Sequence, residues 1–249
     1  MRPRHPAASN FSYSFGPGPI TPAIKALIIA NVAAFLLTVI VPAVTLSLGM
    51  RPADVIGQLR VWQPVTYMFL HGGIFHILFN MLALWMFGVE LERMWGSRFF
   101  TKFYFVSGVG AAATTIVLSF MPVPFADEIY NALTIGASGA VYGVLLAYAM
   151  YFPNRPIYMY FFFPVPAKYF VMIMGAISLL SSMNGPGGGV AHTTHLGGLI
   201  AAYLYLKGGR MHLLSELKYR YLKWRINRMR KRFDVYSGGR ADDINRRVH

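Results

Sequence analysis

The sequence predicts an all-α, polytopic membrane protein, a bundle of six transmembrane helices, and three observations carry that expectation. Hydrophobic residues make up 55% of the 249 and charged residues only 13%, with a mean hydropathy of +0.46, whereas a soluble domain carries about 25% charge. Apolar runs of roughly membrane-crossing length recur along the chain. Basic residues concentrate behind the last of these runs: residues 207–249 hold 13 of the 23 Lys and Arg and 4 of the 9 acids, a net of +9.

Residues 1–22, with Pro, Gly, Ser and Asn, read as a flexible cytoplasmic tail. The apolar segment 24–47 is long for a signal-peptide core and has no A-x-A-like site after it, so it reads as a retained span. Further spans are expected at 75–94, 100–121, 137–153, 162–182 and 190–206, giving a core over 23–207 and a basic cytoplasmic tail over 208–249. The aromatic run 158–163 reads as membrane interface and span, in preference to a cofactor box. A basic segment directly after a span reads as an anchor on anionic lipid, in preference to a nucleic-acid surface. The chain has no cysteine, which excludes disulfides, thiolate catalysis and Cys-based zinc sites.

Six spans put both ends on one side. With the N-terminus inside, the inner loops carry Arg93, Arg98, Lys102, Arg155 and Lys168 beside the basic tail, while the outer loops carry Arg51, Arg60, Asp127 and Glu128. The positive-inside bias therefore predicts both termini in the cytosol. That orientation brings His76 and Asn80 on the second span, Ser138 on the fourth and His195 on the sixth to a similar depth below the outer face. Polar groups at membrane depth face the bundle interior and often mark function. The run from Ala137 to Phe152 reaches only ~24 Å as a helix against a ~30 Å hydrocarbon core, so Ser138 is expected to be recessed, in a water-filled pocket open to the outside.

These residue types suit acyl transfer. A serine hydroxyl needs a neighbouring base, and His195 supplies an imidazole. Acids are placed badly for a triad: Asp127 and Glu128 lie in a loop, and Glu90 and Glu92 at the inner end of the second span, which favours a Ser138–His195 dyad. Tyr142, four residues after Ser138, shares its helical face and is expected to stack on His195. The backbone N–H of Ser138 at a helix start, with His76 and Asn80 at i,i+4 spacing, offers oxyanion donors. Gly139 and Gly143, and Gly198 and Ala202, form small-residue ridges that allow close helix approach.

The Gly-Ala-Ser-Gly motif at 136–139, His-Ile-Leu-Phe-Asn at 76–80 and Ala-His-Thr-Thr-His-Leu-Gly-Gly at 191–198, in that arrangement over six spans, resemble the rhomboid intramembrane serine proteases over about residues 20–207. The resemblance implies a six-transmembrane-helix rhomboid-like bundle in which Ser138 is nucleophile and His195 base. It also implies an oxyanion hole of His76, Asn80 and the Ser138 N–H, with Tyr142 on the base. His71 matches a histidine often found before the second span, and Glu92 a structural carboxylate at its inner end. Two departures are Trp62-Gln63, where the family often carries Trp-Arg, for which altered loop anchoring but unaltered chemistry is expected, and Ala202 in place of a frequent glycine, for which slightly looser packing is expected. The tail over 241–249 resembles the start of a soluble extension.

What the resemblance implies further is hydrolysis of single-pass membrane protein substrates near the outer face of a bacterial cytoplasmic membrane, with no cofactor and no metal. Access is expected through the fifth span, with loop 183–189 either a mobile cap or a plain connector. His192, three residues before His195, is expected to be structural, with the base role as its alternative. A zinc site of His71, His76, His192 and His195 lacks an HExxH pattern and an acid ligand. A transporter lacks an intramembrane acid and a repeat, and an aspartyl mechanism lacks paired Asp in the spans. The remaining alternative is a catalytically silent rhomboid-like protein that binds membrane helices without cutting, against which the presence of both Ser138 and His195 argues.

Overall fold

The computed structural model describes residues 16–122, 125–159, 163–183 and 189–208, with Lys223 and Arg228. The chain divides into two units, Met1–Leu206 and Lys207–His249, and the architecture below is that of the first. Most of the expected N-terminal tail, the centre of loop 183–189 and nearly all of the basic tail, 241–249 included, lie outside the described residues.

Helix α1, Pro22–Ile40, starts where Pro22 supplies a fixed φ at the first helical position and lacks the N–H that would be orphaned there. Its remaining free N–H groups are capped from another helix. The Glu92 carboxylate, on α5 (Ile74–Trp95), accepts the N–H of Ala23 at 2.8 Å and of Ile24 at 3.0 Å, together with the Thr21 hydroxyl. It also accepts the Ser97 hydroxyl at 2.6 Å, at the start of α6, Ser97–Leu118. One buried carboxylate thus ties three helix ends. Glu92→Gln, which keeps the shape but turns one acceptor oxygen into a donor, is expected to cost about 1.5–3 kcal/mol, read as a lowered unfolding midpoint in detergent.

The first expected segment, 24–47, is divided. Pro42 cannot donate into a continuing helix, so α1 ends at Ile40 and a separate short helix, α2, follows at Ala43–Leu48. The loop beyond it is structured by α3, Pro52–Gly57, and α4, Gln63–Thr66, which runs into a 3₁₀ turn at Tyr67–Phe69. Gln63, of the departing Trp62-Gln63 pair, is fully buried and accepts the Arg51 N–H at 3.1 Å, while the Trp62 indole donates to the Ser47 carbonyl at 3.0 Å. Loop anchoring is therefore kept without an arginine at 63. Backbone bonds of 3.0 and 2.8 Å between Met50 and Thr134 join this loop to the segment leading into Ser138.

After the short α7, Ala126–Asn131, comes α8, Ser138–Tyr151. It is apolar all round and packs against both α5 and α6, so it is buried along most of its length, as a core helix must be. The fifth expected segment, 162–182, begins differently from its reading. Residues 163–166 are a strand, β2 (Phe163–Pro166), antiparallel to β1 (Pro156–Met159), and the helix α9 starts only at Ala167 and runs to Met183. Pro164 and Pro166 hold φ near the extended side and bias the residue before each away from α, which delays the helix. Helix α10, Gly189–Gly208, completes the bundle.

Among the described residues, three helices, Pro22–Ile40, Ile74–Trp95 and Ser97–Leu118, are long and apolar enough to cross a membrane. Helices α8 and α9 are apolar but shorter, at 14 and 17 residues, and α10 has 20. Large side chains such as Leu36 and Ile40 of α1, Phe75 and Phe79 of α5, and Met172 and Leu180 of α9 point outward and are exposed. An apolar exterior of that extent suits a hydrocarbon surrounding.

Candidate active site

Small residues set the distance between α8 and the helices around it. A Cβ on Gly198 of α10 would lie 1.9 Å from the Gly139 carbonyl oxygen of α8, and a Cβ on its neighbour Gly197 would lie 2.7 Å from Thr114 Cβ of α6. Adjacent glycines thus let α10 seat against two helices at once. A Cβ on Gly143 would lie 2.6 Å from Ser107 of α6 and 3.2 Å from Ala202, which is fully buried. The alanine at 202 is accommodated because the residue opposite is glycine, so the looser packing expected there is not seen. Thr115 and Thr194 join α6 to α10 through their hydroxyls, 2.8 Å apart.

That approach puts Ser138 and His195 in contact: Ser138 Oγ and His195 Nε2 are 2.8 Å apart. Tyr142 lies flat on the His195 ring, with centroids 4.3 Å apart and planes inclined by 7°. For Nε2 to accept the serine proton, the neutral ring carries its own on Nδ1, and that atom is buried with no partner among the described residues. Accordingly, no carboxylate of the described residues bonds to His195. His192 meets His195 edge-on at 5.6 Å between centroids. The contact with Ser138 is made by His195, and the Nδ1 of His192 has no partner among the described residues, so the structural hydrogen bond expected of it is not found at that atom.

The backbone before Ser138 is as constrained as the helices. Gly136 has φ +127°, a conformation that a side chain rarely adopts, and a Cβ there would meet His76 Nε2 at 2.8 Å and lie 3.6 Å from Ser138 Oγ. His76 and Ser138 therefore flank one spot. The Gly136 N–H donates to the Tyr67 carbonyl at 2.9 Å, and the Tyr67 hydroxyl, fully buried, donates to the Gly108 carbonyl at 2.7 Å. Burial raises the Tyr67 phenol well above its ordinary range, so it stays a neutral donor.

His76 accepts the Gly72 N–H on Nδ1 at 3.3 Å. A neutral His76 then bears its hydrogen on Nε2, the atom turned toward Gly136 and Ser138. His71 sits edge-on to His76, with centroids 4.9 Å apart. Burial pushes the His71 imidazole down to about 4, with His76 pushing the same way and the Phe69 backbone opposing, so His71 is neutral at pH 7. Asn80 is buried one turn along α5 and donates from Nδ2 to the His76 carbonyl at 2.8 Å, so the structure brings it beside His76 but gives no contact with Ser138. Tyr67 and the need for glycine at 136 were missed by sequence reasoning: a tyrosine in an irregular loop carries no periodic signal, and one glycine among 24 does not announce its φ.

Among the described residues, no group of three or more His, Asp or Glu is placed to hold a metal ion. The four histidines pair two by two, His71 with His76 and His192 with His195, in edge contacts rather than around a common centre. The sequence-based expectation of a metal-independent reaction is tested by zinc chelation, which is expected to leave any proteolysis unchanged; a loss restored by added zinc is the contrary result.

Residues 58–210 match the Rhomboid domain family model, more than half of the chain. Among curated proteins the chain is 30% identical over 157 residues to "Rhomboid protease AarA" of Providencia stuartii, covering 57% of this chain and 54% of that one. It is 37% identical over 99 residues to "Rhomboid protease GluP" of Bacillus subtilis, covering 40% and 17%. With "Rhomboid protein 1, mitochondrial" of Saccharomyces cerevisiae it shares 32% over 142 residues, covering 55% and 38%. The match thus spans about half or less of the length of these relatives. Taken with the spanning-length apolar helices, it makes this chain an integral membrane protein that belongs to the rhomboid family.

Proposed function

We propose that this chain is an intramembrane serine endopeptidase that cleaves transmembrane segments of other membrane proteins with a Ser138–His195 dyad. The observation that carries this is the 2.8 Å contact between Ser138 Oγ and His195 Nε2, with Tyr142 flat against the imidazole. Two curated relatives are named as proteases, which supports the same reading.

In this mechanism Ser138 Oγ attacks the scissile carbonyl carbon while its proton passes to His195 Nε2. The carbonyl oxygen becomes an oxyanion. Its donors are the Ser138 N–H, left without an intrahelical acceptor at the start of α8, the Nε2–H of His76 and the Asn80 amide. Asn80 keeps one N–H on the His76 carbonyl and has its second for the oxyanion. The imidazolium then protonates the leaving amine, which departs. Water attacks the acyl-enzyme with His195 again as base, and the serine is released. Asn80→Ala is expected to lower kcat by about 10²–10³ with smaller change in KM, as loss of one oxyanion donor does.

The bundle is taken to cross the bilayer six times over 23–207, with the tails 1–22 and 208–249 in the cytosol of a bacterial inner membrane. Substrates are single-pass segments, cut near the outer face where Ser138 is recessed, and they enter past α9. The +9 tail lies against anionic lipid.

The test is labelling of the purified protein by a fluorophosphonate probe, with a single-pass substrate assay beside it. Labelling of wild type but not of His195→Ala is the expected outcome. A well-folded wild type that neither labels nor cuts would mean a silent relative that binds membrane helices.

A further inference from the structure

Ser178 lies on α9, fully buried, and no step above uses it. Its hydroxyl donates to the phenol oxygen of Tyr142 on α8 at 3.2 Å. Tyr142 in turn lies parallel to His195 on α10 at 4.3 Å, and His195 touches Ser138 at 2.8 Å. Four side chains from three helices thus form one continuous line ending at the nucleophile.

Stacking constrains an imidazole only as well as the ring beneath it is constrained. The Tyr142 ring hangs from two rotatable bonds, and its far end is the phenol oxygen. A hydrogen bond at that end, from a different helix, removes the swing that the two torsions leave. A bond of 3.2 Å is also close to the limit at which a hydroxyl contact holds. Among the described residues, helix α9 packs against α8 and the β-hairpin, with its Gly175 beside Leu199 of α10, while Tyr169, Met172, Ile173, Ile177 and Leu180 point outward. A displacement of about 0.5 Å away from α8 takes the Ser178–Tyr142 pair past hydrogen-bond distance.

We infer that Ser178 is a positioning residue for the dyad: by holding the Tyr142 phenol it keeps the ring flat beneath His195, so that Nε2 stays aligned on Ser138 Oγ. The seat of α9 is thereby tied to the competence of the base. This rests on the dyad proposed above.

The experiment measures fluorophosphonate labelling rate, kcat, KM and the unfolding midpoint of full-length protein in lipid. The proteins are wild type, Ser178→Ala, Ser178→Thr, Tyr142→Phe and the double variant Ser178→Ala with Tyr142→Phe. Ser178→Ala and Tyr142→Phe are each expected to lower kcat and labelling about 3- to 10-fold, the usual worth of one buried neutral hydrogen bond, with KM within about twofold. The double variant is expected to be no slower than either single one, because both remove the same bond, and Ser178→Thr, which keeps the hydroxyl, to recover most of the rate. Additive losses, a loss confined to KM, or wild-type rates in Ser178→Ala overturn the inference. If Ser178→Ala does not fold, Tyr142→Phe, which removes the bond from the other side at nearly constant volume, decides it alone. Wild type that neither labels nor cuts removes the dyad and this role together; an active wild type with an unaltered Ser178→Ala removes only Ser178.

Discussion

Ser138→Ala is expected to abolish cleavage of a single-pass substrate and all fluorophosphonate labelling while leaving the fold intact. The loss is expected to be about 10⁴–10⁶ in kcat, the range seen when the nucleophile of a serine hydrolase is removed. The structural cost is small. Ser138 opens α8 without capping it through its side chain, and its one described side-chain bond is the 2.8 Å contact to His195. Losing that contact is worth about 1 kcal/mol of stability. His195→Ala is expected to reach a similar floor, and combining the two to add little, because nucleophile and base act as one unit. The check is product formation against time at matched protein levels, with the unfolding midpoint measured on the same samples. Cleavage by Ser138→Ala at more than a tenth of the wild-type rate would falsify the nucleophile assignment.

Gly198→Val is expected to abolish activity through the fold rather than the chemistry. The new Cβ lands 1.9 Å from the Gly139 carbonyl oxygen, which belongs to the backbone of a buried helix and cannot turn aside. Helices α8 and α10 must separate there, by more than the 2.8 Å contact between Ser138 and His195 tolerates. Overpacking of this kind costs about 3 kcal/mol or more where no flexible side chain can yield. The expected result is a clearly lowered unfolding midpoint with loss of both labelling and cleavage. Gly57→Ala is the matched control: nothing lies within 4 Å of a Cβ there, and the position is helical, so stability is expected to be unchanged or to rise by up to about 1 kcal/mol. A Gly198→Val protein as stable and active as wild type contradicts the close crossing.

The amino-acid sequence determined the class of this protein because the signals for it are local. Long apolar runs with few charges report membrane helices wherever they occur, and His76 with Asn80, Ser138 with Tyr142, and Gly198 with Ala202 each sit at helical spacing on a single element, so their shared faces follow from the repeat of the helix. The family was legible for the same reason, in three short motifs. Where local chemistry ran against a hydrophobic run, the run misled: Pro42 split the first segment, and Pro164 and Pro166 turned the start of the fifth into a strand.

What only the tertiary structure decided are the relations between elements far apart in sequence. Glu92 capping α1, Tyr67 holding the Gly136 backbone, Gly198 pressed on Gly139, and Ser178 at the tip of Tyr142 join partners tens of residues apart or more. No periodicity encodes such pairs, since each depends on where two helices cross and on which side chain fills the space between them. That crossing distance, set by small-residue ridges that the sequence displays without saying which meets which, brings a serine and a histidine 57 positions apart to 2.8 Å.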